Sequence, residues 1–177
     1  PRNHSSAASD VYKRQDFHYE VSRSLACCEG ALLLVDAFQG VEAQTVANVY
    51  AAMGHDLAVI PVINKIDLKH QRADEVALEM EQSLGLPMDE SIRVSAKTGI
   101  GIPDLMSAIL KRIPPPKGER DSPLQAMVFD SHYDEFRGVI TYVRVMNGTL
   151  FKGQKIHFIN TGSVHEVLEL GQFAPKR

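Results

Sequence analysis

No run of about 18 or more apolar residues occurs in this chain of 177, so no helix is expected to span a membrane. Lys and Arg number 19 against 22 Asp and Glu, a formal net charge of −3. That balance gives no global basic signature, so nucleic acid cannot be argued from charge, though a local basic face is compatible with it; no DNA partner is expected. Cys27 and Cys28 are the only cysteines and they are adjacent. A bridge between neighbours is strained and no metal-ligand spacing exists, so no metal site is expected and a reducing cytoplasm is the natural compartment. Absent too is Gly-x4-Gly-Lys-Ser/Thr, the loop whose amides cradle phosphates and whose hydroxyl positions Mg²⁺. What remains is 44% hydrophobic, enough for a packed core, in a length that allows one domain or parts of two.

The most informative stretch is Val59-Ile-Pro-Val-Ile-Asn64-Lys65-Ile-Asp67. Its β-branched run predicts a strand of a parallel sheet, covered on both faces and therefore without alternation. Ligands of open α/β sheets sit outside the carboxyl ends of strands, which is where the polar tetrapeptide falls. Guanine suits these side chains. Its N1–H and 2-amino group are parallel donors that the Asp67 carboxylate can accept together. Asn64 can donate to N7, and the Lys65 stem can lie along the ring. Adenine offers Asp67 neither donor, and such a site rejects the wrong partner by roughly 10⁴-fold. Asn and Asp after a strand are also ordinary turn formers. A second motif, Ser95-Ala96-Lys97, about thirty residues on and again after a β-like segment, adds to the first.

Read in order, residues 1–15 are polar and without periodicity, and are expected to be a disordered or foreign tail. Asp16 to Glu29 has helical spacing ended by Gly30, and Ala31 to Val35 reads as a buried strand. Asp36 at its end is either a turn cap or a group facing a ligand. Val41 to Met53 predicts a helix with Val46, Val49, Tyr50 and Met53 on one face. Arg72 to Leu84 predicts another, stopped by Gly85. Ile92 to Val94 is a short strand, and a last helix carries Pro103 in its first turn with Leu105, Ile109 and Ile113 inward. Alternating β and α segments imply parallel strands. Pro114 to Ser122 reads as a stiff linker. Beyond it the period becomes two, with strands over 124–130, 138–145, 154–159 and 164–170, suggesting an incomplete antiparallel barrel. His132 to Asp134 reads as a loop. Four regions are thus expected: tail 1–15, α/β unit 16–113, linker 114–122 and β-barrel 123–177.

These residues carry a family resemblance. Phe17-His-Tyr-Glu-Val-Ser-Arg-Ser-Leu25, Val35-Asp-Ala and Gln39-Gly-Val-Glu-Ala-Gln-Thr45 resemble the ribosome-associated translational GTPases. So does Arg144-Val-Met-Asn-Gly-Thr-Leu-Phe-Lys-Gly153 in the second region. Ile113-Pro-Pro-Pro, Pro123-Leu-Gln-Ala, Phe129-Asp-Ser and Gly171-Gln-Phe-Ala-Pro-Lys176 are most similar to the elongation factor 4, or LepA, family. The resemblance covers residues 16–177. It implies the carboxyl half of a P-loop-type GTPase domain followed by the translation-factor β-barrel. It also implies GTP or GDP at Asn64, Lys65, Asp67, Ser95, Ala96 and Lys97, where the Ala96 amide would meet guanine O6 and the Lys97 stem the second ring face. The parent protein would be a GTPase of the ribosome, acting in back-translocation or ribosome biogenesis. It would be cytoplasmic, with peripheral membrane association in some members. Val11-Tyr-Lys-Arg-Gln15 stands where the family has Asp-Thr-Pro-Gly-His-Val, so no catalytic residue is carried over. Mg²⁺ is expected only in a complete protein, and the chain alone is expected to be inactive. The competing expectation is a non-enzymatic adaptor that binds the ribosome or a protein partner.

Overall fold

A computed structural model of the chain describes residues 21–172 and residue 174. The expected tail 1–15 and residues 16–20 of the first expected helix lie outside the described residues; of the rest of that helix, residues 21–25 are helical and the chain turns at 26–27, short of the expected end at Glu29. The chain divides into two compact units, one running to Pro116 and one from Lys117.

The first unit is built on three parallel strands in the order β1 (Gly30–Asp36), β2 (Ala58–Asn64), β3 (Ile92–Arg93). Because β2 is central and its side chains alternate between faces, it has to be apolar on both sides. Ile63 faces one layer together with Leu33 and Val35 of β1. That layer comprises Val49 of α1 (Ala43–Gly54) and Val76, Ala77, Met80 and Leu84 of α2 (Ala73–Leu84). Ile60 and Val62 face the other layer, where Val94 and the partly buried Ile102, Leu105, Ile109 and Ile113 close the core along α3 (Ile102–Arg112). Fully burying a side chain such as Ile63 is worth about 1.5–3 kcal/mol.

Local signals set the helix ends. The α2 first turn carries Asp74 and Glu75 against the positive end of the helix, and Gly85 ends it in the left-handed conformation at φ 68°. Pro103 sits in the first turn of α3, and Lys111 and Arg112 face the negative end. On α1 the expected apolar face is turned: Val49 and Ala52 are buried, whereas Tyr50 is 62% and Met53 42% exposed. The short Ala52, not Met53, fits the close approach of α1 to the sheet.

The second unit is antiparallel. β4 (Gln125–Asp134) pairs with β5 (Gly138–Asn147), and β6 (Lys155–Phe158) with β7 (Ser163–Glu166). Among the described residues no ladder joins the two hairpins. His132, Tyr133 and Asp134 are not a loop. They pair with Ile140, Val139 and Gly138 as the end of β4, because the chain reverses only at residues 135–137, where the Asp134 carboxylate accepts the Phe136 and Arg137 N–H groups. At the other end of the hairpin the Asn147 side chain accepts the Glu119 N–H and donates to Gln125. Those two bonds tie the segment entering β4 to the end of β5.

Candidate functional site

Two loops leave the carboxyl ends of neighbouring strands and meet. The first begins at Asn64, the last residue of β2, and carries Lys65 and Asp67; the second follows β3 and carries Ser95, Ala96 and Lys97. Parallel pairing places both exits on one edge of the sheet, where an open α/β fold receives ligands. Backbone bonds set the second loop: the Val94 N–H donates to the Ile63 carbonyl at 2.8 Å, and the Gly99 N–H to the Ser95 carbonyl at 2.8 Å. Gly101 closes it. Its φ is 73°, and a Cβ there would stand 2.1 Å from the Arg93 carbonyl oxygen, so no other residue fits.

Side chains then join the loops. Ser95 is fully buried; its hydroxyl donates to Asp67 Oδ1 at 2.7 Å and accepts the Thr98 N–H at 3.2 Å. The Asn64 carbonyl oxygen Oδ1 accepts the Ala96 N–H at 3.1 Å. Asp67 is thereby aimed by a buried hydroxyl while the residue itself stays exposed. The Ser95 hydrogen bond, aided by the nearby Lys97 charge, holds its carboxyl below the usual range, so it is ionised at neutral pH. An ionised carboxylate is an acceptor only, suited to a partner that presents donors. Lys65, Ala96 and Lys97 are exposed beside it.

All six residues singled out in the sequence therefore lie on these two loops. The Ala96 N–H is engaged by Asn64, so a ligand carbonyl at this amide would have to take that bond over. Asp36 was legible in sequence only as a turn cap or a ligand-facing group. It ends β1 in register with Asn64, accepts the Phe38 N–H at 2.8 Å, and pairs with Lys65. The available signal was that two neighbouring parallel strands both end in a polar residue. Among the described residues no helix is long and apolar enough to cross a membrane.

Comparison with known proteins gives this geometry a setting. The elongation factor Tu GTP binding domain family matches residues 14–115, and elongation factor G domain 2 matches residues 123–172. Elongation factor 4 1 of Rhodopirellula baltica is 70% identical over 162 residues, covering 92% of this chain and 27% of that protein. Elongation factor 4 of Clostridioides difficile is 56% identical over 160 residues, 90% of this chain and 27% of that protein. The chain thus spans about a quarter of the length of the curated relatives it matches. The crystal structure of apo translation elongation factor SelB from Methanococcus maripaludis shares the fold at a TM-score of 0.65 and 20% identity, over 78% of this chain and 31% of that one.

Proposed function

The chain belongs to the elongation factor Tu GTP binding domain family, and from that premise we propose that its two joined loops form the guanine-recognition half of a GTP site. Asp67 accepts N1–H and the 2-amino group of the base, while Ser95 keeps the carboxylate aimed. Guanine O6 takes the Ala96 N–H from Asn64, whose amide is then free to turn to N7. The stems of Lys65 and Lys97 cover the two ring faces. Adenine would leave the Asp67 carboxylate facing an acceptor, a mismatch worth roughly 10⁴-fold in selectivity. The observation that carries this reading is the pair of side-chain bonds, Ser95 to Asp67 and Ala96 to Asn64, which brings the two motifs into one surface.

At the level of the whole protein we propose an elongation factor 4-like GTPase of the ribosome, acting in back-translocation or ribosome biogenesis, cytoplasmic and in places peripheral to the membrane. Identity of 70% to the Rhodopirellula baltica protein supports this assignment. Within it, residues 16–113 supply base recognition, 114–122 the linker and 123–177 the second domain. No catalytic residue and no ligand to Mg²⁺ is assigned to this chain. Titration with guanosine and adenosine monophosphates, read at the Asp67 and Ala96 amides by NMR, tests the site. Guanine is expected to bind in preference to adenine, and Asp67→Asn to move the preference from guanine to xanthine. Equal binding of both purines, or unchanged selectivity in Asp67→Asn, would sink the assignment.

A further inference from the structure

The end of β1 brings to the candidate site a carboxylate that neither base-site motif contains. Asp36 and Asn64 are register partners, so the turn after β1 and the loop after β2 leave the sheet side by side. Backbone bonds lace the two together. The Ala37 N–H donates to the Asn64 carbonyl at 2.8 Å, and the Arg72 N–H to the Ala37 carbonyl at 2.9 Å. Asp36 divides its two oxygens between two tasks. Oδ1 closes its own turn, accepting the Phe38 N–H at 2.8 Å and the Gln39 N–H at 3.4 Å. Oδ2 meets the Lys65 ammonium at 2.5 Å.

Lys65 is the residue in need of such a partner. Its φ of 68° is in the left-handed region, uncommon for a residue other than glycine. Its side chain is 55% exposed and has a flexible four-carbon stem, whereas that of Asp36 is 15% exposed. A mobile ammonium is therefore held by a covered carboxylate that its own turn has already fixed.

We propose that Asp36 is a positioning residue for the guanine site, fixing the Lys65 ammonium so that the lysine stem stands as a preset wall for one face of the purine. The assignment rests on the guanine-site reading above. Asp36 touches no base atom and acts through Lys65. Holding the side chain before the ligand arrives removes ordering entropy that binding would otherwise have to overcome. The Lys65 hydrogen bond, the largest influence on Asp36, lowers its pKa and keeps it ionised at neutral pH.

Asp36→Asn separates the two tasks, because an amide oxygen can still accept the turn N–H groups but no charge faces Lys65. Lys65→Met keeps an apolar stem and removes the ammonium. Titration of the 177-residue chain with guanosine monophosphate is expected to show binding weakened about two- to fivefold in Asp36→Asn, the range of an ion pair near the surface. The preference over adenosine monophosphate stays unchanged, since Asp67 sets it. In a Lys65→Met background, adding Asp36→Asn changes nothing further. Unchanged binding in Asp36→Asn, or an equal loss with and without Lys65→Met, overturns the proposal. Should the wild-type chain show no preference for guanine, the base-site reading fails. The positioning claim is then decided at Lys65 itself. Its side-chain Cε and backbone Cα and Cβ shifts must move in Asp36→Asn, and shifts that stay in place overturn it.

Discussion

The two units reach order by different means. Every apolar side chain that is buried among the described residues lies between Leu33 and Val94, in the first unit. In the second, Phe136 is 96%, Ile159 87% and Leu168 74% exposed. A central parallel strand with helices on both faces leaves water on neither side, so β2 contributes a dry core. A two-stranded ribbon has two faces, and its own ladder covers neither. Such a hairpin is marginal by itself, and its order depends on turns and side-chain brackets. The first unit is a packing problem and the second a hydrogen-bonding one.

The widest contrast should come from truncating apolar side chains. Met80→Ala removes a fully buried side chain of the first core and is expected to lower stability by about 2–5 kcal/mol in denaturant unfolding. Val139→Ala, at a position 71% exposed on β5, should change it by about 0.5 kcal/mol or less. Comparable losses at the two positions would erase the distinction. Next in size is Gly101→Ala. Left-handed strain alone is about 1–3 kcal/mol, and the Cβ also meets the Arg93 carbonyl. Faster amide exchange at Val94, Ser95 and Gly99 should report the disturbed loop.

Brackets in the second unit should matter more than its apolar side chains. Asn147→Ala loses the acceptor for Glu119 N–H and the donor to Gln125, a loss of about 1–2 kcal/mol. It should free the Glu119 amide to exchange while leaving the first unit unchanged. The smallest effect is a pH dependence. Bonds from the Arg137 and Phe136 N–H groups lower the Asp134 pKa. The folded value therefore lies below the unfolded one. Its stabilisation is complete above the unfolded pKa of about 3.9 and is lost as pH falls through the lower folded value. Protection of the Phe136 and Arg137 amides should fall over that acid window, and Asp134→Asn should remove the dependence.

The helices and strands of the first unit were legible because their cues are local. Gly85 and Pro103 fall where the sequence places helix limits, and the Val59 to Ile63 run is apolar without alternation because both of its faces are covered. The α1 face was misread around Tyr50 and Met53 because helical spacing alone does not say which of two overlapping stripes meets the sheet. Large apolar side chains suggested one stripe, and the space available selected the one bearing Ala52. His132 to Asp134 were misread for the opposite reason. Polar side chains suggest a loop, but a ribbon with a solvated face accepts them as readily as apolar ones.

By itself the sequence determined the order of α and β segments, the parallel first unit and the antiparallel second, and the two motifs at strand ends. Those follow from periodicity and turn chemistry within short windows. Tertiary structure alone decided that Ser95, buried and 28 positions from Asp67, aims its carboxylate, that Asn64 engages the Ala96 amide, and that Asp36 reaches Lys65. Each of these is a hydrogen bond or ion pair between residues distant in sequence, and only the pairing of parallel strands brings their ends within bonding distance.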